Sequence, residues 1–220
     1  MGKKFWSLYA PVYEKVMQPD RKLYKLMYER IPPVVEGKRV LEVATGPGLL
    51  AKHIAPAASE VIATDYAPGM IREAMKGNVP ENVRFEVADA KALPYEDVSF
   101  DVVLIANALH IMPEAEKALQ EAARVLTDDG ILIAPNFVEH TANAKSTIWT
   151  RLLEVLGVSF EHTWVAEEYR TFLEENGWTV TAFEVERARM SIAYAECVKG
   201  RKLRGGGQGA LGDRAGSPES

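Results

Sequence analysis

Residues 40–51 read Val40-Leu41-Glu42-Val43-Ala44-Thr45-Gly46-Pro47-Gly48-Leu49-Leu50-Ala51. An apolar run breaks at a turn bearing two glycines, and a second apolar run follows. That order predicts a strand feeding a helix through a tight turn. Glycines there let the backbone approach a ligand, and the helix N-terminus offers N–H groups without intrahelical partners. A tight turn with no ligand is the alternative reading. The next clue is Asp65, which ends the run Glu60-Val61-Ile62-Ala63-Thr64-Asp65 about 20 residues beyond Glu42, where an acidic side chain can take both hydroxyls of a ribose. Asp65 could instead cap the helix that follows Ala67.

Outward from this pair, short β-rich runs alternate with helical patterns. The strands are predicted at Arg39–Val43, Glu60–Thr64, Val83–Val87, Phe100–Ala106 and Ile131–Ala134. Ala115, Ala118, Leu119, Ala122 and Leu126 recur at helical spacing, and Pro68 suits the first turn of a helix over Met70–Met75. Asp128-Asp129-Gly130 reads as a turn into the fifth strand. Helical connections imply parallel strands, and the runs VVLIA and ILIA are apolar on both faces, as strands covered from both sides must be. Further on, Ala166–Asn176 reads as a helix capped by Gly177. Thr179–Val185 and Ser191–Val198 then form strands too close in sequence to be other than an antiparallel hairpin.

Composition narrows the function classes. The chain has 220 residues, 47% hydrophobic and 26% charged, with a formal net charge of −5. That balance argues against general affinity for nucleic acid. One cysteine, Cys197, excludes an internal disulfide and suits a reducing compartment, so a cytoplasmic location is expected. No apolar stretch approaches the roughly 20 residues of a membrane span, and the start lacks the apolar core of a secretion signal. Residues 201–220 (RKLRGGGQGALGDRAGSPES) are too poor in apolar side chains to offset the entropy of ordering, and are expected to form a disordered tail.

A third element separates two kinds of chemistry. Gly46-x-Gly48-x-x-Ala51 with Asp65 also satisfies a dinucleotide fingerprint, which leaves a nicotinamide-dependent oxidoreductase open. Phe85-Glu86-Val87-Ala88-Asp89-Ala90, however, ends the third strand with an acid placed to accept from an adenine amino group, beside the Ala90 backbone N–H. Leu93-Pro94 and Ser99-Phe100-Asp101-Val102-Val103 follow. These elements in this order resemble the class I S-adenosyl-L-methionine-dependent methyltransferases, and within them the quinone C-methyltransferases and phospholipid N-methyltransferases.

The resemblance covers roughly residues 5–198 and implies an α/β Rossmann-like three-layer sandwich. Its seven-stranded, mostly parallel sheet has the order 3-2-1-4-5-7-6, with the last strand antiparallel. It implies one domain over residues 1–200, with an N-terminal helical cap at 1–35 and a substrate-side insertion at 136–164. For the cofactor it implies Glu42, Ala44, Gly46 and Gly48 facing the methionine part, Asp65 on the ribose and Tyr66 flanking the adenine. Asp89 and Ala90 read the adenine edge, and Asn107 lines the path to the sulfonium. The family usually has glycine where Ala44 stands.

A sulfonium is already an activated electrophile, so the protein mainly aligns the acceptor and excludes water. Tyr13, on an aromatic N-terminal segment with Phe5, Trp6 and Tyr9, is the candidate to touch the methionine carboxylate or the acceptor. His110 and His140 are the candidates for a direct substrate role, each with a structural histidine as the alternative. No metal ligand set stands out. Ile148, Trp149, Leu152, Leu153, Val155 and Leu156 exceed one buried helical stripe, which points to a small apolar or amphiphilic acceptor and allows peripheral contact with a membrane; a helix buried on both sides, or a dimer contact, is the alternative reading. The acidic body argues against nucleic acid as the acceptor. A cofactor-binding protein without catalysis is the remaining alternative. Asp65, read as a solvent-facing carboxylate, is expected to matter for the ligand and not for the ligand-free fold.

Overall fold

The computed structural model describes residues 5–8, 10, 21–139, 161–187 and 191–200. Helix α1 (Arg21–Val34) precedes β1 (Arg39–Val43), α2 (Leu49–Ile54), β2 (Glu60–Asp65), α3 (Pro68–Ala74) and β3 (Val83–Val87). Then come β4 (Phe100–Ile105), a single 3-10 turn at Leu109–Ile111, α4 (Ala115–Val125), β5 (Leu126–Ile133) and β6 (Asn136–Val138). Helix α5 (Ala166–Glu175), β7 (Trp178–Glu186) and β8 (Ser191–Lys199) follow. The sheet order is β3-β2-β1-β4-β5-β8, with β7 on the outer side of β8. Strands β1 to β5 pair in parallel, and β8 runs antiparallel to β5 and β7. This is the expected order with one short strand added.

Strand side chains alternate between faces, and here both faces are buried. Leu41, Val43, Val103 and Ile105 enter one core with Leu119 of α4 and Tyr169 of α5. Val40, Val102 and Leu104 enter the other, with Met27 and Ile31 of α1 and Leu50 and Ile54 of α2. Met27 and Ile31, four apart, stack on one face of α1. Gly177 holds φ 86 just beyond α5, the left-handed position that ends a helix.

Two differences from the expected elements have physical causes. The run Asp128-Asp129-Gly130 lies inside β5 as a bulge: Phe100 pairs with Leu126, and the next pairing is Val102 with Ile131. The buried Lys199 secures that bulge by donating from Nζ to the Leu126 carbonyl at 2.7 Å. The added strand, β6, arises because Pro135 has no N–H and interrupts the ladder beyond β5. Ala134 donates to the Ala195 carbonyl at 2.8 Å, and pairing with β8 resumes at Asn136.

Gly48 couples the quoted turn to this packing. It holds φ 77, and a Cβ there would lie 2.7 Å from ring carbons of Phe85 and 2.9 Å from the Ala74 Cβ. A left-handed alanine costs about 1–2 kcal/mol and overpacking about 1–3 kcal/mol. Gly48→Ala should therefore lower stability by about 2–5 kcal/mol in urea denaturation. An unchanged midpoint would show that α2 shifts freely against β3 and α3.

Candidate functional site

The sheet reverses strand order between β1 and β4, so the crevice past the carboxyl ends of those strands is uncovered. The turn after β1 enters it with left-handed backbone at Ala44 (φ 57), Gly46 (φ 57) and Gly48 (φ 77). Neighbouring strand ends fix that path. Thr45 N–H donates to the Thr64 carbonyl at 2.8 Å, and Gly46 N–H donates to Asp65 Oδ2 at 2.9 Å. The other Asp65 oxygen accepts Ala67 N–H at 2.8 Å. Asp65 thus ties the β1 turn to the chain entering α3. It does not cap the helix, whose N-cap is Ala67. Burial raises its carboxyl above the usual range, opposed by the two N–H bonds.

A cavity of about 220 Å³ opens over this turn. Its lining includes the acids Glu42, Asp65 and Asp89, and its one cation among the described residues is Lys91. Lys91 is engaged by Glu114 at 2.9 Å. Trp6, Tyr24, Met27 and Met112 contribute apolar lining, and Tyr66, also in the lining, is 40% exposed. Gly46 faces open space, so its lack of a side chain serves the left-handed turn, whereas Gly48 is needed for packing. Glu42 is only 2% exposed. It accepts from Thr45 Oγ1 at 2.8 Å, and burial pushes its carboxyl up to about 8. Asn107 also holds left-handed backbone (φ 50), and its buried Oδ1 has no hydrogen-bond partner. A buried acceptor left unpaired beside a cavity is a place for a ligand donor.

The structure brings Glu42, Ala44, Gly46, Asp65, Tyr66, Asp89, Ala90 and Asn107 together around one space. Gly48 lies behind it, against Phe85 and Ala74. His110 is buried outside the lining, with Nδ1 2.9 Å from Asn136 Oδ1 and its ring edge-on to Phe137. Asn136 Nδ2 donates to the Phe137 carbonyl, so its oxygen faces His110 and the imidazole Nδ1 carries the proton. Burial draws this imidazole down to about 4, leaving it neutral near pH 7. Tyr13 and His140 lie outside the described residues, as do Tyr9, residues 141–160 and the 201–220 tail. Thr45 and Lys91 were not singled out by sequence, although Thr45 stands inside the quoted turn. Asn136 gives no local signal, because its partner is 26 residues away.

The chain has relatives among known proteins. A family model described as a methyltransferase domain matches residues 41–134. A demethylmenaquinone methyltransferase of Renibacterium salmoninarum is 36% identical over 66% of this chain and 62% of its own length. One from Thermus thermophilus is 35% identical over 79% of each chain. The chain thus spans less than two thirds of the first of these relatives. Among solved structures, a Haloferax volcanii methyltransferase, seen in complex with its Trm112 activator, shares the fold at a TM-score of 0.73. It is 19% identical, over 89% of this chain and 97% of that one. The chain belongs to the class I S-adenosylmethionine-dependent methyltransferases, and the oxidoreductase alternative has no support among its relatives.

The geometry changes the expectation for Asp65. A carboxylate that accepts two backbone N–H bonds supports the ligand-free fold. Bonds to a charged acceptor are worth roughly 1.5–3 kcal/mol each, less the desolvation recovered when the carboxylate is removed. Asp65→Ala should lower the stability of the ligand-free protein by about 1–3 kcal/mol and weaken S-adenosylmethionine binding at least tenfold. Denaturation and calorimetry read the two effects separately. Unchanged stability would remove the pinning role, and an unchanged Kd would remove the ribose role.

Proposed function

We propose that this protein transfers a methyl group from S-adenosylmethionine to a small apolar or amphiphilic acceptor. The observation that carries the reading is the cavity at the strand-order reversal, lined by the acids Glu42, Asp65 and Asp89 and by the apolar Trp6, Tyr24, Met27 and Met112. Acidic lining suits a ligand bearing an ammonium and a sulfonium, and apolar lining suits an acceptor that must be kept from water. When bound, the cofactor supplies an activated methyl group.

The residues take roles that follow from their positions. Asp65, held by Gly46 and Ala67, keeps further lone pairs for ribose hydroxyls. Asp89 accepts Lys91 N–H through Oδ1 at 3.0 Å, which orients the carboxylate, and the Ala90 N–H stands beside it for the adenine edge. Glu42 and the unpaired Asn107 Oδ1 flank the methionine end. Ala44 and Gly46 shape the turn there, and Tyr66 covers the adenine. His110 acts as a positioning residue. Its carbonyl accepts N–H bonds from Glu161 and His162, and its ring holds Asn136, so it fastens the loop after β4 to the returning chain. Tyr13 and His140 remain the candidates to touch the acceptor directly.

The relatives support the acceptor class, being named for demethylmenaquinone. We assign residues 1–200 to the methyltransferase domain, with 1–35 as cap, 136–164 as the acceptor-side segment and 201–220 as a tail. Among the described residues no helix is long and apolar enough to cross a membrane. A cytoplasmic enzyme meeting its acceptor in solution or at a membrane surface fits this arrangement.

The test is methyl-labelled S-adenosylmethionine with acceptors that share one reacting group and carry tails of graded length. Labelled product should form, with kcat/KM rising as the tail lengthens. Equal rates for polar and lipophilic acceptors would overturn the apolar class. Absence of label from every product would overturn the activity.

A further inference from the structure

Glu42 has an environment unlike that of the other acids around the cavity. It lies on the α2 side of the sheet, where Val40 of the same strand is part of the core. Its strand neighbours are Ala63 on β2 and Leu104 on β4, neither of which carries charge. From the turn, Thr45 Oγ1 donates to its Oε2, and from α2 the Ala51 backbone N–H faces it. The basic residues of α2 point elsewhere: Lys52 donates to the Lys76 carbonyl, and His53 stacks on Tyr28 of α1. Among the described residues, the formal charge that acts on Glu42 is that of Asp65 on β2, which is negative. Asp89 and Lys91 line the same cavity, with Lys91 held by Glu114. Burial first, and Asp65 in addition, raise Glu42 from 4.5 to about 8. Burial among uncharged strand neighbours therefore favours the carboxylic acid form of Glu42 in the ligand-free protein.

We infer that Glu42 is a proton-linked ligand group: it yields its proton to solvent when a cationic amino group enters the cavity, and binds that group as a carboxylate. The inference rests on the S-adenosylmethionine reading above. The step balances simply. The Glu42 O–H bond breaks, the proton passes to buffer, and the carboxylate pairs with an ammonium that keeps its own three protons. The reason is electrostatic. A carboxylate buried without a cation is costly, and a cation placed against it supplies the missing partner. Affinity should consequently climb with pH while the free protein still carries the proton. Below pH 8, one proton released per ligand means about a tenfold change in Kd per pH unit.

Calorimetry on the full chain tests this, with titrations near pH 7 in phosphate and in Tris, whose ionisation enthalpies differ. The dependence of binding heat on buffer counts the protons released. S-adenosylmethionine and S-adenosylhomocysteine, which share the amino group, should each release close to one proton. Adenosine, which lacks that group but would meet Asp65 and Asp89, should release almost none. In Glu42→Gln the release should vanish, and the Kd between pH 6 and 7.5 should flatten.

Binding with no proton release overturns the inference alone. So does release that persists in Glu42→Gln, which would assign the proton to the ligand's amine, or equal release with adenosine, which would assign it to the ribose end. Absence of binding heat for every ligand overturns the S-adenosylmethionine reading and this inference with it. If Glu42→Gln fails to fold, the adenosine comparison and the wild-type pH series still decide.

Discussion

The bond from Gly46 N–H to the Asp65 carboxylate is the contact on which the arrangement of the site depends. Parallel pairing of β1 and β2 sets Val43 opposite Thr64, so Asp65 stands one residue past the last rung. The chain leaving β1 must then pass within reach of that carboxylate. Capture of the Gly46 N–H, together with Thr45 N–H on the Thr64 carbonyl, bends the turn before α2 begins. Because Asp65 also holds Ala67, the same side chain sets the start of the path into α3. Two strands and two helices are thus arranged around one carboxylate, and the cavity is the space they leave open.

Much of this was legible in the sequence because it is local. Two-sided apolar strands, their helical connections and the closing hairpin follow from periodicity within windows of a dozen residues. The pairing of an acid after the second strand with a glycine turn after the first likewise depends on spacing alone. What escaped was non-local. The β5 bulge reads as a turn until Lys199, 73 residues away, is found donating into it. Strand β6 follows a proline that ought to end pairing, and exists because β8 offers the ladder again on the far side. Gly46 and Gly48 look equivalent in sequence, but one faces open space and the other meets Phe85, a residue of a different strand.

The charge state of the site was equally hidden. Sequence shows three acids and treats them alike. Their surroundings in the fold differ: Asp65 is satisfied by two backbone donors, Asp89 by one, and Glu42 by a hydroxyl and a helix-end N–H among apolar strand neighbours. A carboxylate needs either donors or a cation when water is removed. All three have donors within the protein; Glu42 differs in being buried, whereas Asp65 and Asp89 are partly exposed.

Backbone strain is distributed in the same way. Four non-glycine residues among those described hold left-handed backbone: Ala44, Val98, Asn107 and Glu114. Ala44 and Asn107 line the cavity, and Glu114 follows Pro113 on its rim. Such conformations cost about 1–3 kcal/mol each and persist only where surrounding contacts over-determine them. Here those contacts are visible. Thr45 N–H holds the residue after Ala44, Asn107 N–H donates to the Pro135 carbonyl at 2.7 Å, and Glu114 is bound by Lys91 and Lys117. The geometric effect is common to Ala44 and Asn107, since a left-handed residue within two positions of a strand's end turns the chain off the sheet axis. Had both continued in extended conformation, β1 and β4 would run on side by side and close the crevice. The strained residues keep these two adjacent strands from pairing further, and the ligand space lies between them.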